Sequence, residues 1–92
     1  MTVSIFCCPV LQGYGLTETA AACTLQTPTD FTNGTVGPPM VCCEIRLVDV
    51  PEMGYTSAST PQRGEICVRG LNVFCGYYRN DEETYIAHLI FP

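Results

Sequence analysis

The densest chemistry in the chain lies in one run, Gln12-Gly13-Tyr14-Gly15-Leu16-Thr17-Glu18. Gly13 and Gly15 carry no Cβ, so the backbone there can approach a ligand closely. Tyr14 stands between them with an unhindered aromatic face, on which a nucleobase stacks for about 1–3 kcal/mol. The Thr17 hydroxyl can donate to a phosphate oxygen. The Glu18 carboxylate is a hard oxygen ligand of the kind Mg²⁺ prefers. A stacking platform, a phosphate donor and a metal ligand thus fall within five consecutive residues. The same run also reads as a glycine-rich turn ahead of a helix start. Spacing alone leaves both readings open.

Composition removes other chemistries. The chain has no lysine, which excludes Schiff-base catalysis, a lysine on an ATP phosphate and a lysine-rich nucleic-acid or membrane patch. Nine acidic residues against four arginines give a net charge of −5, which argues against nucleic acid as a partner. Arg46, Arg63, Arg69 and Arg79 are scattered and read as surface groups or ion-pair partners. The seven cysteines are odd in number and include the vicinal pairs Cys7-Cys8 and Cys42-Cys43. No Cys-x-x-Cys occurs, and His88 is the single histidine. That pattern fits neither a zinc site nor a disulfide framework. It fits reduced cysteines used as small buried hydrophobes in an intracellular, reducing compartment. His88 reads as a packed or solvated side chain.

The elements that must position these residues are short. A length of 92 residues allows one domain. Charged residues are 14% of the chain, against about 25% in an ordinary soluble domain, so part of the surface is expected to meet more protein. The first basic residue is Arg46, and Pro9 interrupts the early apolar run, so no signal peptide is expected. No stretch approaches the roughly 18–20 apolar residues of a membrane span. Residues 3–8 read as a buried strand, with a helix not excluded. Gly13 and Gly15 should break any helix or strand around Tyr14. Residues 17–24 offer a helical turn or two through Ala20, Ala21 and Ala22.

Residues 27–39 form a loop carrying the Asn33-Gly34 turn signal. Residues 41–50 alternate, with Cys43, Ile45 and Leu47 opposite Glu44, Arg46 and Val48. After a second loop, residues 65–69 alternate again, with Ile66 and Val68 opposite Glu65, Cys67 and Arg69. Antiparallel pairing of the two would bury Ile45, Leu47, Ile66 and Val68 and allow cross-strand ion pairs. Tyr77 and Tyr78 read as packing residues. Asn80 with Glu83 three residues on predicts a capped helix whose apolar stripe is Ile86, Leu89 and Ile90.

The run Phe6-Cys7-Cys8-Pro9-Val10-Leu11-Gln12-Gly13-Tyr14-Gly15-Leu16-Thr17-Glu18-Thr19 resembles the central signature of the adenylate-forming (AMP-binding) superfamily. More narrowly, it is similar to that of long-chain fatty acid–CoA ligases. The resemblance continues through Gly34-Thr35-Val36-Gly37-Pro38-Pro39 and through Cys43-Glu44-Ile45-Arg46-Leu47-Val48-Asp49-Val50-Pro51-Glu52-Met53-Gly54-Tyr55. It ends with Pro61-Gln62-Arg63-Gly64-Glu65-Ile66-Cys67-Val68-Arg69-Gly70-Leu71-Asn72-Val73-Phe74 and Gly76-Tyr77-Tyr78. It spans roughly residues 6–84, and an ordered set of motifs is far more specific than any one of them.

The family makes acyl-CoA from ATP, a fatty acid and coenzyme A. The carboxylate attacks the α-phosphate to give acyl-AMP and pyrophosphate, and the thiol then displaces AMP. By resemblance, Gly13, Tyr14, Gly15 and Thr17 bind the nucleotide, with Tyr14 on adenine and Thr17 on the α-phosphate, and Glu18 binds Mg²⁺. No catalytic residue is carried over. The implied fold is α/β in parentage. The visible segment should be mostly β, part of the β-barrel region of the large N-terminal domain, with one or two short helices. Family members often sit on the cytosolic face of endoplasmic reticulum, mitochondrial outer or peroxisomal membranes.

The family's lysine-ending phosphate loop, its Thr-Gly-Asp segment and its small mobile C-terminal domain have no counterpart in residues 1–92. Leu71 stands where proline is common, and Cys75 where a polar or basic residue is common. The expectation is therefore a partial AMP-binding domain, inactive alone. The alternatives are a non-catalytic nucleotide-binding or regulatory module, and a structural segment with no ligand.

Overall fold

A computed structural model describes residues 7–90, with side chains through His88. Its best-defined unit is a hairpin of β3 (Cys43–Val48) and β4 (Glu65–Gly70), which pair antiparallel. Residues 3–6 of the expected first strand lie outside the described part, and Cys7 and Cys8 form an exposed turn.

The register places Ile45 opposite Val68 and Leu47 opposite Ile66, so these four share one face as the alternation requires. Glu44 faces Arg69 on the other side, and the guanidinium donates from Nε at 3.1 Å and from Nη2 at 2.5 Å. This is the expected cross-strand ion pair. Both side chains are more than 70% exposed, so solvent screens it. The faces are less evenly buried than alternation implies. Val68 is 1% exposed, but Ile66 remains 36% exposed, and Ile45 and Leu47 are half-buried. Cys67, on the charged face, is buried instead. It is short and lies opposite Arg46, whose long apolar stem can cover it.

The second sheet corrects an expectation. Gly13 and Tyr14 do not break the chain into a loop. They form β1 (Gly13–Tyr14), paired antiparallel with β2 (Thr24–Leu25). Residues 38–40 line the far side of β2: Leu25 N donates to Pro38 O at 3.2 Å and Met40 N to Cys23 O at 2.9 Å. Of the helical turn or two expected over residues 17–24 one turn forms, and it stops before the alanines. A 3-10 turn spans Thr17–Thr19 and ends at Ala20, whose φ is 51°, followed by Ala21 at φ 125°. Nucleating a helix fixes about three residues for one hydrogen bond, and pairing with β1 ties this segment down before a helix can propagate.

Residues 51–63 hold a second 3-10 turn, Pro51–Met53, closed by mutual backbone bonds between Val50 and Tyr55 at 3.0 and 3.2 Å. The helix α1 (Asp81–Ile90) begins as expected, with Glu83 N donating to Asn80 Oδ1 at 3.2 Å. Its apolar stripe differs: Ile86 is 45% exposed and Ala87 is the buried position, while the side chains of Leu89 and Ile90 lie outside the described part. The described residues are mostly strand and turn with one α-helix.

The radius of gyration, 15.8 Å, exceeds the roughly 12 Å of a compact domain of this length. The apolar core is correspondingly small: Cys23, Cys67, Val68 and Ala87. Val41, Leu71 and Phe31 stand in solvent.

Two outcomes follow from this burial. Val68→Ala should lower stability by about 1–2 kcal/mol and Arg69→Ala by less than about 1 kcal/mol, read from chemical denaturation. Equal losses would refute the ranking. All seven cysteines are free thiols, but only Cys23 and Cys67 are the buried hydrophobes expected; Cys42 and Cys43 are half-buried and Cys7, Cys8 and Cys75 exposed. Timed alkylation followed by mass spectrometry should label exposed Cys7, Cys8 and Cys75 first, and buried Cys23 and Cys67 only on unfolding.

Candidate functional site

The run from Gly13 to Glu18 leaves β1 and enters the first 3-10 turn, so its placement rests on the β1–β2 pairing. That pairing is reinforced by buried polar side chains. Tyr14 N donates to Thr24 Oγ1 at 3.1 Å, and Cys23 N donates to Tyr14 O at 2.8 Å. Gln26 accepts from Gln12 N through Oε1 at 2.9 Å and donates through Nε2 to Thr32 O and Thr35 Oγ1. Thr19 closes the turn: its Oγ1 accepts from Leu16 N at 2.9 Å and lies 3.0 Å from Leu16 O. Thr19, Thr24 and Gln26 are each at most 6% exposed, so these bonds remove polar atoms that would be costly unpaired.

The room made by the glycines is occupied by the chain itself. A Cβ on Gly15 would sit 1.6 Å from Ala21 O, and one on Gly13 would sit 2.8 Å from Thr24 O. Both positions therefore need glycine for chain-on-chain approach, whatever else they do. Tyr14 is half-buried, Thr17 is exposed, and Glu18 is half-buried with its carboxylate at the surface. Thr17 and Glu18 are successive residues of one 3-10 turn and follow Tyr14 by three and four positions.

A residue first read as packing proves to belong here. Tyr77 packs edge-on against Phe74, with ring centroids 4.8 Å apart, and its hydroxyl also donates to Glu18 Oε1. Phe74 N donates to Glu18 O at 2.8 Å, so backbone and side chain of Glu18 are both gripped by the segment after β4. Tyr77 and Glu18 are 59 positions apart, and no local pattern could have joined them.

The Tyr77 hydroxyl, followed by a backbone N–H, holds the Glu18 carboxyl below its ordinary 4.5, and the same contact pushes the Tyr77 phenol above its ordinary 10.0. The Tyr77 hydrogen bond falls on Oε1 of Glu18, and among the described residues no other residue bonds Oε2 or the Thr17 hydroxyl. A surface carboxylate with one oxygen left by its neighbours is a hard ligand of the kind a divalent cation takes, and an exposed hydroxyl can donate to a phosphate. Among the described residues no cluster of three or more His, Cys, Asp or Glu side chains is present. Mg²⁺ bound through one or two carboxylates and substrate phosphates needs no such cluster.

Comparison with known proteins places the chain in a family. Residues 2–78 match the model of the AMP-binding enzyme family, and the chain belongs to that family. It is 51% identical over 80 residues to fatty acyl-CoA synthetase A of Dictyostelium discoideum, a match covering 86% of this chain and 12% of the relative. It is likewise 51% identical over 80 residues to the peroxisomal long chain acyl-CoA synthetase 7 of Arabidopsis thaliana, covering 86% of this chain and 11% of that protein. A solved structure of O-succinylbenzoate coenzyme A synthetase from Bacillus subtilis, in complex with ATP and magnesium ion, superposes with a TM-score of 0.62 at 27% identity. That match covers 85% of this chain and 20% of the other. The chain thus spans about an eighth of the length of the curated relatives it matches.

The Glu18–Tyr77 contact carries a pH signature. A carboxyl held below its ordinary value contributes stability that is present above pH 4.5 and lost as pH falls through its folded value. A phenol held above its ordinary value contributes stability present below pH 10.0 and lost as pH rises through its folded value. Asp30 and Asp49, which accept from Thr32 N and Ser57 N, add to the acid limb in the same sense. Denaturation midpoints of wild type and Glu18→Gln, measured across pH, should therefore differ at neutrality and converge on acidification below about 4.5. A difference independent of pH would mean that Tyr77 does not hold the carboxylate.

Proposed function

We propose that residues 13–18 supply adenine, phosphate and magnesium contacts in an ATP-dependent, AMP-forming long-chain fatty acid–CoA ligase. That enzyme activates a fatty acid to acyl-CoA through acyl-AMP. The observation that carries the reading is that one 3-10 turn presents an exposed Thr17 and a surface Glu18 carboxylate whose Oε1 is held by Tyr77. Identity of 51% to a long chain acyl-CoA synthetase supports the long-chain acyl substrate.

The roles follow from the chemistry of each group. Tyr14 offers a ring face to adenine while its backbone is fixed by β2. Thr17 donates to an oxygen of the ATP α-phosphate, whose phosphorus the fatty carboxylate attacks as pyrophosphate leaves. Glu18 ligates Mg²⁺ through Oε2. When bound, Mg²⁺ neutralises phosphate charge and orients the polyphosphate. Gly13 and Gly15 keep the Tyr14 loop against residues 21–25 and so set its height at the nucleotide. Seven free thiols favour an intracellular, reducing compartment. Among the described residues no helix is long and apolar enough to cross a membrane.

Residues 1–92 alone should bind ATP weakly. A base stack supplies about 1–3 kcal/mol and one hydroxyl bond to a charged phosphate about 1.5–3 kcal/mol. Millimolar affinity already requires about 4 kcal/mol after ordering costs. The chain has no lysine to offset the triphosphate, and its own charge is −5. Catalysis needs positioning and preorganised charge beyond what these groups supply.

Calorimetry of the 92-residue chain with Mg-ATP should give millimolar binding that Glu18→Gln weakens further, and a pyrophosphate-release assay with a long-chain fatty acid should give no turnover. A dissociation constant below about 100 μM would overturn the weak-binding claim, and Mg²⁺-independent binding would overturn the role of Glu18.

A further inference from the structure

We propose that Tyr77 is a positioning residue for the metal ligand: its hydroxyl pins Oε1 of Glu18 so that Oε2 is held ready for a divalent cation. This rests on the reading of Glu18 as that ligand.

The geometry behind it is a relay from the last helix to the turn. Thr84, in the first turn of α1, donates through Oγ1 to Asn80 O at 2.8 Å. The same oxygen accepts from Tyr77 N at 2.9 Å, which anchors the tyrosine backbone. The ring is held by Phe74, and Phe74 is in turn stacked with His88 at 6.4 Å between centroids. The Tyr77 hydroxyl then reaches Glu18, whose backbone carbonyl is already bound by Phe74 N. Tyr77 is 36% exposed, so its ring sits at the surface beside the carboxylate rather than in the core. Burial alone does not account for this arrangement. A packing residue needs no aligned hydroxyl, and Phe74 fills the ring's apolar contact without one.

Two effects of the hydrogen bond oppose each other. Withdrawing electron density from Oε1 weakens the carboxylate as a donor. Restricting the side chain removes rotamer entropy that cation binding would otherwise cost. At neutral pH Glu18 is ionised with or without Tyr77, because its ordinary value is already 4.5. Tyr77 therefore adds nothing to the fraction of charged ligand, and its contribution is orientation. The titratable groups facing the pair are Glu18 and Tyr77 themselves and Glu83 on α1, which adds negative potential at the phenol.

The test uses Mn²⁺ with ATP as a paramagnetic probe of the full chain and its Tyr77→Phe variant, with NMR line broadening at Glu18 as readout. Wild type should show broadening centred on Glu18. Tyr77→Phe should weaken it by about threefold or more at neutral pH, and raising the pH should not restore it. Broadening equal in the two proteins overturns the positioning role while leaving Glu18 as the ligand. Recovery at higher pH overturns it in favour of an ionisation effect. No broadening at Glu18 in wild type overturns the ligand reading and the positioning role with it. Should Tyr77→Phe fail to fold, Thr84→Val, which removes the acceptor for Tyr77 N, is the second variant: broadening at Glu18 should weaken, and unchanged broadening overturns the relay.

Discussion

The structure depends on one constraint: the backbone of residues 12–15 must lie directly on that of residues 21–26. Without a Cβ at Gly15 the Ala21 carbonyl can occupy that space, and the strand pair β1–β2 can close. Everything that could touch a nucleotide hangs from this contact. Its fastening is polar rather than apolar, through Thr19, Thr24 and Gln26, each buried and each bonded to backbone. Such hydrogen bonds add only about 0.5–1.5 kcal/mol each, but losing a partner strands a buried donor or acceptor. The hub therefore enforces one geometry more than it adds stability. That suits the proposed role of the loop, which needs a ring, a hydroxyl and a carboxylate in fixed relation.

How much of this could be read beforehand differs by element, for physical reasons. The β3–β4 hairpin was legible because strand alternation has period two, and because Glu44 and Arg69 mark the same face of both strands. The helix start was legible from Asn80, whose side chain meets Glu83 N as a cap should. The alanines misled because propensity is a weak prior that tertiary context overrides. Ala20 and Ala21 carry positive φ to bring Cys23 and Thr24 back against Tyr14. Cys67 misled because alternation reports the side of the pleat and not what covers it. Arg46 and Glu65 flank the thiol on the charged face, and burial pushes its titration up.

At the site, the run around Tyr14 and Glu18 was visible as residue types, and family resemblance assigned the roles proposed for them. What the sequence concealed was the partner. Tyr77 lies in a segment whose aromatic residues look like packing, and Tyr77 does pack, on Phe74. Its second role comes from a contact across the fold, and no periodicity encodes the direction in which a phenol points. The nearest signal was indirect. Asn80 and Thr84 fix the start of α1, and that start fixes the backbone of Tyr77.

Charge explains why such a positioning contact matters in this chain. With no lysine and a net charge of −5, residues 1–92 repel a polyphosphate at long range. Attraction must then come through a cation shared between protein and phosphate. A single carboxylate is a thin hold on a cation that keeps most of its water. The free energy available from one ligand is small, so the fraction spent on ordering that ligand decides whether binding is observable. A glutamate free to turn spends it at the moment of binding, whereas one already held by Tyr77 has spent it on folding. The Thr84–Tyr77–Glu18 relay thus moves an entropic cost from the site to the fold, where α1 and the Phe74 contacts share it.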